Sequence, residues 1–203
     1  MPQPQTQKSS RKAGRRAEII QAARQRFRAS GLAESTMDMV AEDVGIARPN
    51  LYRYFKDKTE LVGAVLVEEA FAINDFRATK LKGITKFADR VVRTFQATVE
   101  VMEADPLWAD IIAPTNVPYT AYVAASDPRV LESNRQYWTP IFTDAEANGE
   151  LRPGLDHEEL LTWLLGVEFM FMERSEIFPT LEDVERYTRT YVLPALLTNG
   201  TNR

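Results

Sequence analysis

The sequence predicts an all-α chain in which a three-helix N-terminal module is followed by a larger helical region. From Ile19 onward, apolar residues recur at the three-to-four-residue spacing that is typical of amphipathic helices. Gly, Pro, Ser and Asp residues with turn or capping propensity separate these runs. The sequence contains neither an internal repeat nor an alternating apolar–polar run long enough to predict a sheet.

The first two helices of the module are bounded by residues that start or stop helices. The first is predicted from about residue 15 to residue 30, and Gly31 ends it because glycine readily adopts the left-handed conformation past a last helical residue. Ser35 and Thr36 have hydroxyl groups suited to N-capping the second helix, and Gly45 ends that helix. We therefore expect two helices with a tight turn after the second.

The third helix is predicted over residues 48–55 and has a proline near its start. Pro49 lacks an N–H group, so it is tolerated in the first helical turn, where that group has no helical partner. The residue before a proline is disfavoured in the α region, which makes Arg48 the predicted cap. Leu51 and Phe55 lie four residues apart, so both are expected to face the core.

The other side chains of this third helix are basic, amide or phenolic instead of the usual mixture of Glu and Lys. Such groups on one rigid face suit phosphates and base edges, so we interpret the segment as the recognition helix of a helix-turn-helix. The alternative is a solvated helix face or, for Tyr54, packing against the first helix. The capping hydroxyls before the second helix could also donate to phosphate. The candidate DNA-binding residues of the module are Ser35, Thr36, Arg48, Pro49, Asn50, Tyr52, Arg53 and Tyr54.

These residues also carry a family resemblance, which covers about residues 15–65, or roughly a quarter of the chain. The matching positions are Gly31, Ser35-Thr36, Ala41, Val44-Gly45-Ile46, Leu51-Tyr52-Arg53-Tyr54-Phe55, Lys58 and Leu61. Together they resemble the DNA-binding domain of the TetR family of bacterial repressors, and the Leu-Tyr-x-Tyr-Phe run followed by Lys58 is the most specific part. The sequence departs from the family at Ala47, where Ser or Thr is common. The resemblance implies that Lys58 contacts a DNA phosphate.

Charge is distributed unevenly along the chain. Residues 1–60 contain 12 Lys and Arg against 7 Asp and Glu, a net charge of +5, whereas the remainder carries −9, which gives −4 overall. The overall pI of about 5.2 alone would argue against a nucleic-acid partner. The asymmetry instead favours a polyanion partner at the N-terminal end.

Composition excludes several function classes. The chain has no cysteine and a single histidine, His157, at a solvated helix start, so thiol chemistry, disulfides and His-rich metal sites are excluded and no cofactor or metal is expected. An enzyme with an accessory helical head is disfavoured, because we find no phosphate-cradling Gly loop and no acidic ligand cluster. The N-terminus has no secretory h-region, and the densest apolar run, residues 160–172, is too short to span a membrane. We expect a soluble cytoplasmic protein.

Three segments are predicted. Residues 1–14 form a disordered basic arm, residues 15–60 the helix-turn-helix domain, and residues 61–203 a helical domain for effector binding and dimerisation. The arm either reaches phosphates or a minor groove, or is simply a solvated tail. The cations that could make this contact are Lys8, Arg11, Lys12, Arg15 and Arg16.

The helices of the third segment are predicted from caps and breakers. An Asp57 cap starts a fourth helix that could reach Phe76, and Asp127 and Asp156 cap two later ones. Pro140 is expected to kink or divide the helix that Asp127 caps. The remaining predicted elements are an amphipathic helix at 84–105, a short helix at 107–112, a loop framed by Pro114 and Pro118, and a last helix from Thr180.

Aromatic residues of this region suggest a pocket for an apolar or aromatic ligand. Singly, each of them is more often part of a core. The candidate lining residues are Phe95, Met102, Trp108, Tyr119, Tyr122, Trp138 and Trp163. Glu168 in an apolar helix is either a polar anchor for the ligand or the partner of an Arg, and we favour the second interpretation.

These observations predict a ligand-responsive regulator, in the form of a repressor released from DNA by a small apolar or aromatic effector. The resemblance implies a homodimer that pairs helices near 156–175 and 180–196 and binds a palindromic operator on double-stranded DNA. A DNA-binding regulator without an effector, and an activator, remain alternatives.

Overall fold

The computed structural model describes residues 4–112, 127–173 and 176–198. Within these ranges the regular elements are helices, and Leu151 and Leu197 form an isolated antiparallel bridge. The predicted all-α fold is confirmed. The helices are α1 (Pro4–Glu34), α2 (Met37–Val44), α3 (Arg48–Tyr52), α4 (Lys58–Lys80), α5 (Phe87–Ala104), α6 (Pro106–Ile112), α7 (Pro128–Ala147), α8 (His157–Glu173), α9 (Leu181–Tyr187), a π-helical segment (Thr188–Val192) and α10 (Leu193–Leu196).

Contacts between residues divide the described chain into two compact units. The first contains residues 4–69 and 105–112, and the second contains 70–104, 127–173 and 176–198. Helix α4 contributes its first half to one unit and its second half to the other. The predicted limits of the functional domains, at residues 14 and 60, stay predictions.

The N-terminus differs from the expectation of disorder over residues 1–14, because α1 extends back to Pro4. This stretch has no apolar face, but its Gln, Lys, Arg and Ala residues are good helix formers. Extending a helix that already exists adds one hydrogen bond per residue, whereas starting one is unfavourable. Gly31 has non-helical angles (φ 75°, ψ 161°), so the helical conformation is interrupted where the sequence predicts it.

Helix α2 has the predicted caps at both ends, and the second cap lies in the turn to α3. The Thr36 hydroxyl accepts a hydrogen bond from the Met39 amide (3.3 Å), and Gly45 is left-handed at φ 69° and ψ 37°. The Ile46 amide donates to the Ala41 carbonyl (2.9 Å), which satisfies a helix-end carbonyl. This turn fixes the direction in which α3 leaves α2.

Two helix caps of the second unit were also predictable from the sequence. Asp127 caps α7, and Asp156 accepts from the amides of Glu158 and Glu159 at the start of α8.

Pro140, which was expected to kink or divide α7, lies inside this helix without dividing it. It is exposed, so water can satisfy the carbonyl that a proline leaves without a helical partner.

The core of the second unit is aromatic. Trp138 and Phe95 are fully buried, with ring centroids 6.3 Å apart. Phe142 stacks on Trp138 at 5.4 Å, and Phe171 packs on Phe95 at 5.4 Å. These contacts join α5, α7 and α8. No helix in the described ranges is long and apolar enough to cross a membrane, and those ranges hold no cluster of acidic or His residues that could bind a metal ion.

Candidate functional site

Helix α3 is anchored by the two apolar side chains that the sequence places inward. Leu51 and Phe55 are both 0% exposed, and the Arg16 guanidinium of α1 lies 4.7 Å from the centre of the Phe55 ring. The helix begins at Arg48 with Ala47 as its N-cap, so the predicted cap was one residue too late. Ala47 provides no side-chain hydrogen bond to the helix start, and the Asn50 amide donates instead to the Ala47 carbonyl (2.8 Å).

The outward face of α3 is polar and exposed, as predicted. Pro49, Asn50 and Arg53 are exposed, and Tyr52 is 39% exposed. The Arg48 guanidinium donates to the Tyr52 hydroxyl (3.4 Å) and to the carboxylate of Asp38 on α2. The exposure of the Arg48–Asp38 pair makes it weak, so a phosphate can displace the carboxylate.

A basic groove lies beside α3 and was only partly predictable. It has a volume of about 660 Å³ and brings Arg53 and Tyr54 next to the first turns of α1. Because α1 is helical there, Arg11 and Lys12, which were expected on a disordered arm, lie beside α3. The lining residues are Arg11, Lys12, Gly14, Arg15, Glu18, Arg53 and Tyr54.

Three further predicted DNA contacts differ in how free their polar atoms are. Thr36 is exposed at the start of α2 and keeps a donor hydrogen while it caps. Ser35 is 1% exposed and its hydroxyl donates to the Gly31 carbonyl (2.6 Å), which counts against it as a phosphate ligand. The Lys58 ammonium donates to the carbonyls of Leu32 and Ala33 and is partly exposed. Phosphate contact by Lys58 therefore requires it to leave or share these carbonyls.

The aromatic residues predicted to line a ligand pocket do not all come together. Phe95 and Trp138 pack on each other in the core of the second unit, and Met102 is half-buried on α5. Trp108 is buried in the other unit, on α6. Trp163 is 41% exposed, beside Ala195 and Leu196. Tyr119 and Tyr122, and the predicted loop that contains them, lie outside the described residues.

Glu168 is the partner of an arginine, which is the interpretation that the sequence favoured. It is 3% exposed and forms an ion pair with Arg77 of α4, while the Thr98 hydroxyl donates to its Oε1 atom (2.6 Å). The Asn74 carbonyl oxygen accepts from Arg77 (2.8 Å), and its amide donates to Ser133 (2.9 Å). We call these residues, together with Asn134, the buried polar network of the second unit.

The sequence analysis missed every member of this network except Glu168. Arg77 was detectable as a cation within an apolar stretch of α4, since charged residues in such positions need a partner. Its partners could not be identified, because Thr98 and Glu168 lie far away along the chain and only the fold brings them together.

The chain is similar in sequence to known bacterial regulators. Residues 19–65 match the family model of bacterial regulatory proteins of the tetR family. The chain is 26% identical over 152 residues to the HTH-type transcriptional repressor KstR2 of Mycolicibacterium smegmatis, an alignment that covers 72% of each chain.

Two solved structures share the fold over most of the chain. FadR from Bacillus subtilis, solved in complex with stearoyl-CoA, is 17% identical and has a TM-score of 0.60; the match covers 90% of this chain and 97% of FadR. RolR, solved in complex with resorcinol, is 15% identical with a TM-score of 0.69, and the match covers 93% and 90% of the two chains. At these identities the likeness concerns the fold.

Proposed function

We propose that this chain, which belongs to the TetR family of bacterial regulatory proteins, is a repressor that binds a palindromic operator as a homodimer and releases it when a small effector binds. The coarser statement, that it is a transcriptional regulator, follows from the family. DNA contact by individual residues, dimerisation and the effector are the parts that we propose.

The observation that carries the DNA-binding proposal is the exposed polar face of α3 together with the basic groove beside it. Leu51 and Phe55 hold the helix from behind, so Asn50, Tyr52 and Arg53 are presented on a rigid support. Cations of α1 lie on the flank of this face, where the backbone of a bound duplex could be reached. Two such helices in a dimer would enter successive major grooves, about 34–36 Å apart.

The dimer is proposed to form through α8 and the C-terminal helices, near residues 156–175 and 180–196. Two large apolar side chains with high exposure belong to this part of the chain: Trp163 (41%) on α8 and Tyr191 (66%) in the π-helical segment. Exposed aromatic groups of this size favour burial against a partner.

A small organic effector is proposed for the second unit. The ligands bound in the two structural relatives, resorcinol and stearoyl-CoA, support this class of regulation without identifying the ligand of this chain. The effector would act by moving α4, the helix that carries residues of both units. It must bind the DNA-incompetent state more tightly, because equal affinity for both states would shift nothing.

The test of DNA binding uses the full chain and duplexes that it selects from a random-sequence library. Arg53→Ala should weaken binding to all selected sequences and reduce the slope of log affinity against log salt by about one, since one phosphate contact is lost. Fluorescence anisotropy at several salt concentrations measures both quantities. A changed sequence preference would instead place Arg53 on a base.

Arg129→Ala is the matched control, because the Arg129 side chain is 54% exposed on α7 and belongs neither to the proposed DNA-contacting residues nor to the proposed dimer helices. It should leave both affinity and salt slope unchanged. If wild-type protein showed no salt-dependent affinity for duplex DNA, or if both variants behaved alike, the proposed interface would be wrong.

Dimerisation is tested separately by placing a charge on the proposed face. Tyr191→Glu should raise the dimer dissociation constant by at least about tenfold, because an apolar contact would be replaced by a charge that must be desolvated. Leu131→Glu, at a residue 37% exposed on α7, is the control and should remain dimeric. Sedimentation equilibrium measures both, and a monomeric wild type would refute this interface.

A further inference from the structure

A groove in the second unit has the size and the mixed walls of a ligand site. Its volume is about 460 Å³, within the range of about 300–1,000 Å³ that is common for small-molecule pockets. The second half of α4 and the exposed side of α7 form its walls, and Arg90 near the start of α5 contributes to one end. The apolar lining residues are Phe71, Ala78, Leu81, Pro140 and Ile141.

Phe71 shows that the apolar wall is open. Its side chain is 38% exposed, although phenylalanine usually buries most of its surface. Ala78 lies two turns further along α4 and is also exposed. A ligand with an apolar body would cover both and remove that surface from water.

Arg90 supplies a partly exposed cation at this groove. Its Nη1 atom pairs with Asp144 of α7 at 3.0 Å, and the side chain is 19% exposed. Its Nε atom is buried and has no hydrogen-bond partner among the described residues, so a ligand in the open groove does not reach that atom. The exposed part of the side chain can form a charge-assisted hydrogen bond with an anionic group of a ligand.

The surroundings of Arg90 are electropositive. Burial raises the pKa of the Tyr137 hydroxyl, whereas the hydrogen bond with Thr94 and the charges of Arg77, Arg90 and Arg93 lower it. Glu100 pairs with both Arg93 (2.9 Å) and Lys80 (3.1 Å), so one carboxylate is shared by two cations. Lys82, an exposed residue, adds another positive charge to the lining.

One carboxylate limits where an anion can bind. Asp75 also lines the groove, on α4. It lies five residues before the end of that helix at Lys80, or about 7–8 Å along the axis, and Lys82 follows beyond that end. An anionic group is therefore favoured at the Arg90 and Lys82 end, whereas the Asp75 end suits an uncharged part of a ligand.

We propose that this groove binds an amphipathic carboxylate, whose carboxylate pairs with Arg90 and Lys82 and whose apolar body lies on Phe71, Ala78 and Leu81. That this ligand is also the effector that releases DNA rests on the proposed function. Asn74 provides the connection, because it lines the groove and its side-chain oxygen accepts from Arg77 of the buried polar network (2.8 Å). A ligand bound in the groove would thus contact a residue of α4 directly and could change the position of this helix.

The test measures binding of decanoate to the full chain by isothermal titration calorimetry, below the concentration at which decanoate forms micelles. Decanoate should bind, and Arg90→Gln should weaken it by about tenfold or more, since a charge-assisted hydrogen bond is lost. Decanol, which has the same chain without the charge, should bind more weakly by a similar factor. Lys82→Gln should weaken decanoate binding less, and the exposed Lys86→Gln, outside the groove, not at all.

A second pair of variants tests the location without changing charge. Ala78→Trp fills the groove and should abolish decanoate binding, whereas Thr79→Trp, at the next exposed position of α4 and outside the groove, should retain it. Thermal unfolding of each variant checks that the fold is kept. Absence of decanoate binding, equal binding of decanol, or retained binding in Ala78→Trp would overturn the proposal.

DNA binding is measured on the same samples to separate this inference from the proposed function. Decanoate should lower the affinity of wild-type chain for its selected duplex and leave that of Ala78→Trp unchanged. If the chain binds DNA but decanoate fails these tests, the groove proposal alone is wrong. If decanoate binds in the groove and the chain has no affinity for DNA, the regulatory proposal fails and the ligand site stands.

Discussion

Helix α4 carries a buried charge in each of the two compact units, and the two charges are neutralised in different ways. In the first unit, Glu69 is 2% exposed and accepts from Arg24 and Arg28, whose side chains are 24% and 30% exposed. In the second, Arg77 and Glu168 both have side chains only 4% exposed. The Glu69 carboxylate is thus paired with arginines that are partly exposed to water. The Arg77 guanidinium is paired with a carboxylate, Glu168, that is buried.

The difference indicates how each cluster responds to change. Arg24 and Arg28 keep part of their hydration, and Arg28 also donates to Asp105 (2.8 Å), so the first cluster has alternatives if one bond is lost. Arg77 and Glu168 are both desolvated and depend on each other. We therefore expect substitutions in the first cluster to lower the free energy of unfolding less than substitutions in the second.

The largest effect is expected from removing one partner of the buried pair. Glu168→Ala should lower the free energy of unfolding by about 3–5 kcal/mol, because it leaves the Arg77 charge buried without its carboxylate. Burial lowers the pKa of Arg77 to about 10, so the guanidinium is still protonated at neutral pH and the charge is not relieved. Urea unfolding followed by circular dichroism measures the change.

The double variant Arg77→Met with Glu168→Leu is the control for the pair. Replacing both charges with apolar groups of similar size should restore most of the stability, since no uncompensated charge remains. If the double variant were as unstable as Glu168→Ala, the network around Asn74 and Thr98 would be the dominant contribution instead of the ion pair.

A smaller loss is expected in the first unit. Glu69→Gln should lower the free energy of unfolding by about 1–3 kcal/mol, the range for hydrogen bonds to charged groups, because Arg24 and Arg28 can turn to water. Glu68→Gln is the matched control, at an exposed neighbouring position, and should change stability little. A loss in Glu69→Gln as large as in Glu168→Ala would remove the distinction between the clusters.

Local features of the fold were predictable from the sequence because their causes are local. Thr36, Asp127 and Asp156 cap helices through amides two or three residues away, and the inward spacing of Leu51 and Phe55 follows from helix geometry. The polar face of α3 was identified for the same reason. Its placement beside a helical basic segment was not, since residues 1–14 lack apolar periodicity and were expected to be disordered.

Interactions between distant segments could not be predicted. Glu168 stood out as a charge in an apolar helix, yet nothing in the sequence pointed to Arg77 as its partner. The aromatic residues gave the same difficulty, because Phe95, Trp138 and Trp163 have similar sequence surroundings but range from fully buried to 41% exposed. Which apolar residues line a groove and which fill a core is decided by packing.

The smallest effect is expected from Asp105, at the partly exposed edge of the first cluster. Burial would raise the pKa of its carboxyl, but hydrogen bonds from Arg28 and the Leu107 amide bring it below the ordinary value of 3.8. A lowered pKa means that the carboxylate stabilises the folded state above pH 3.8 and that this contribution disappears as pH falls through the lower folded value. Asp105→Asn keeps an acceptor for the Leu107 amide, and it removes both the charge and the oxygen that accepts from Arg28. The variant should be less stable than wild type by about 0.5–1 kcal/mol near neutral pH, and the two unfolding free energies should converge below about pH 4. Urea unfolding over this pH range measures both curves, and a difference that stayed constant down to about pH 3 would show that the charge of Asp105 contributes nothing.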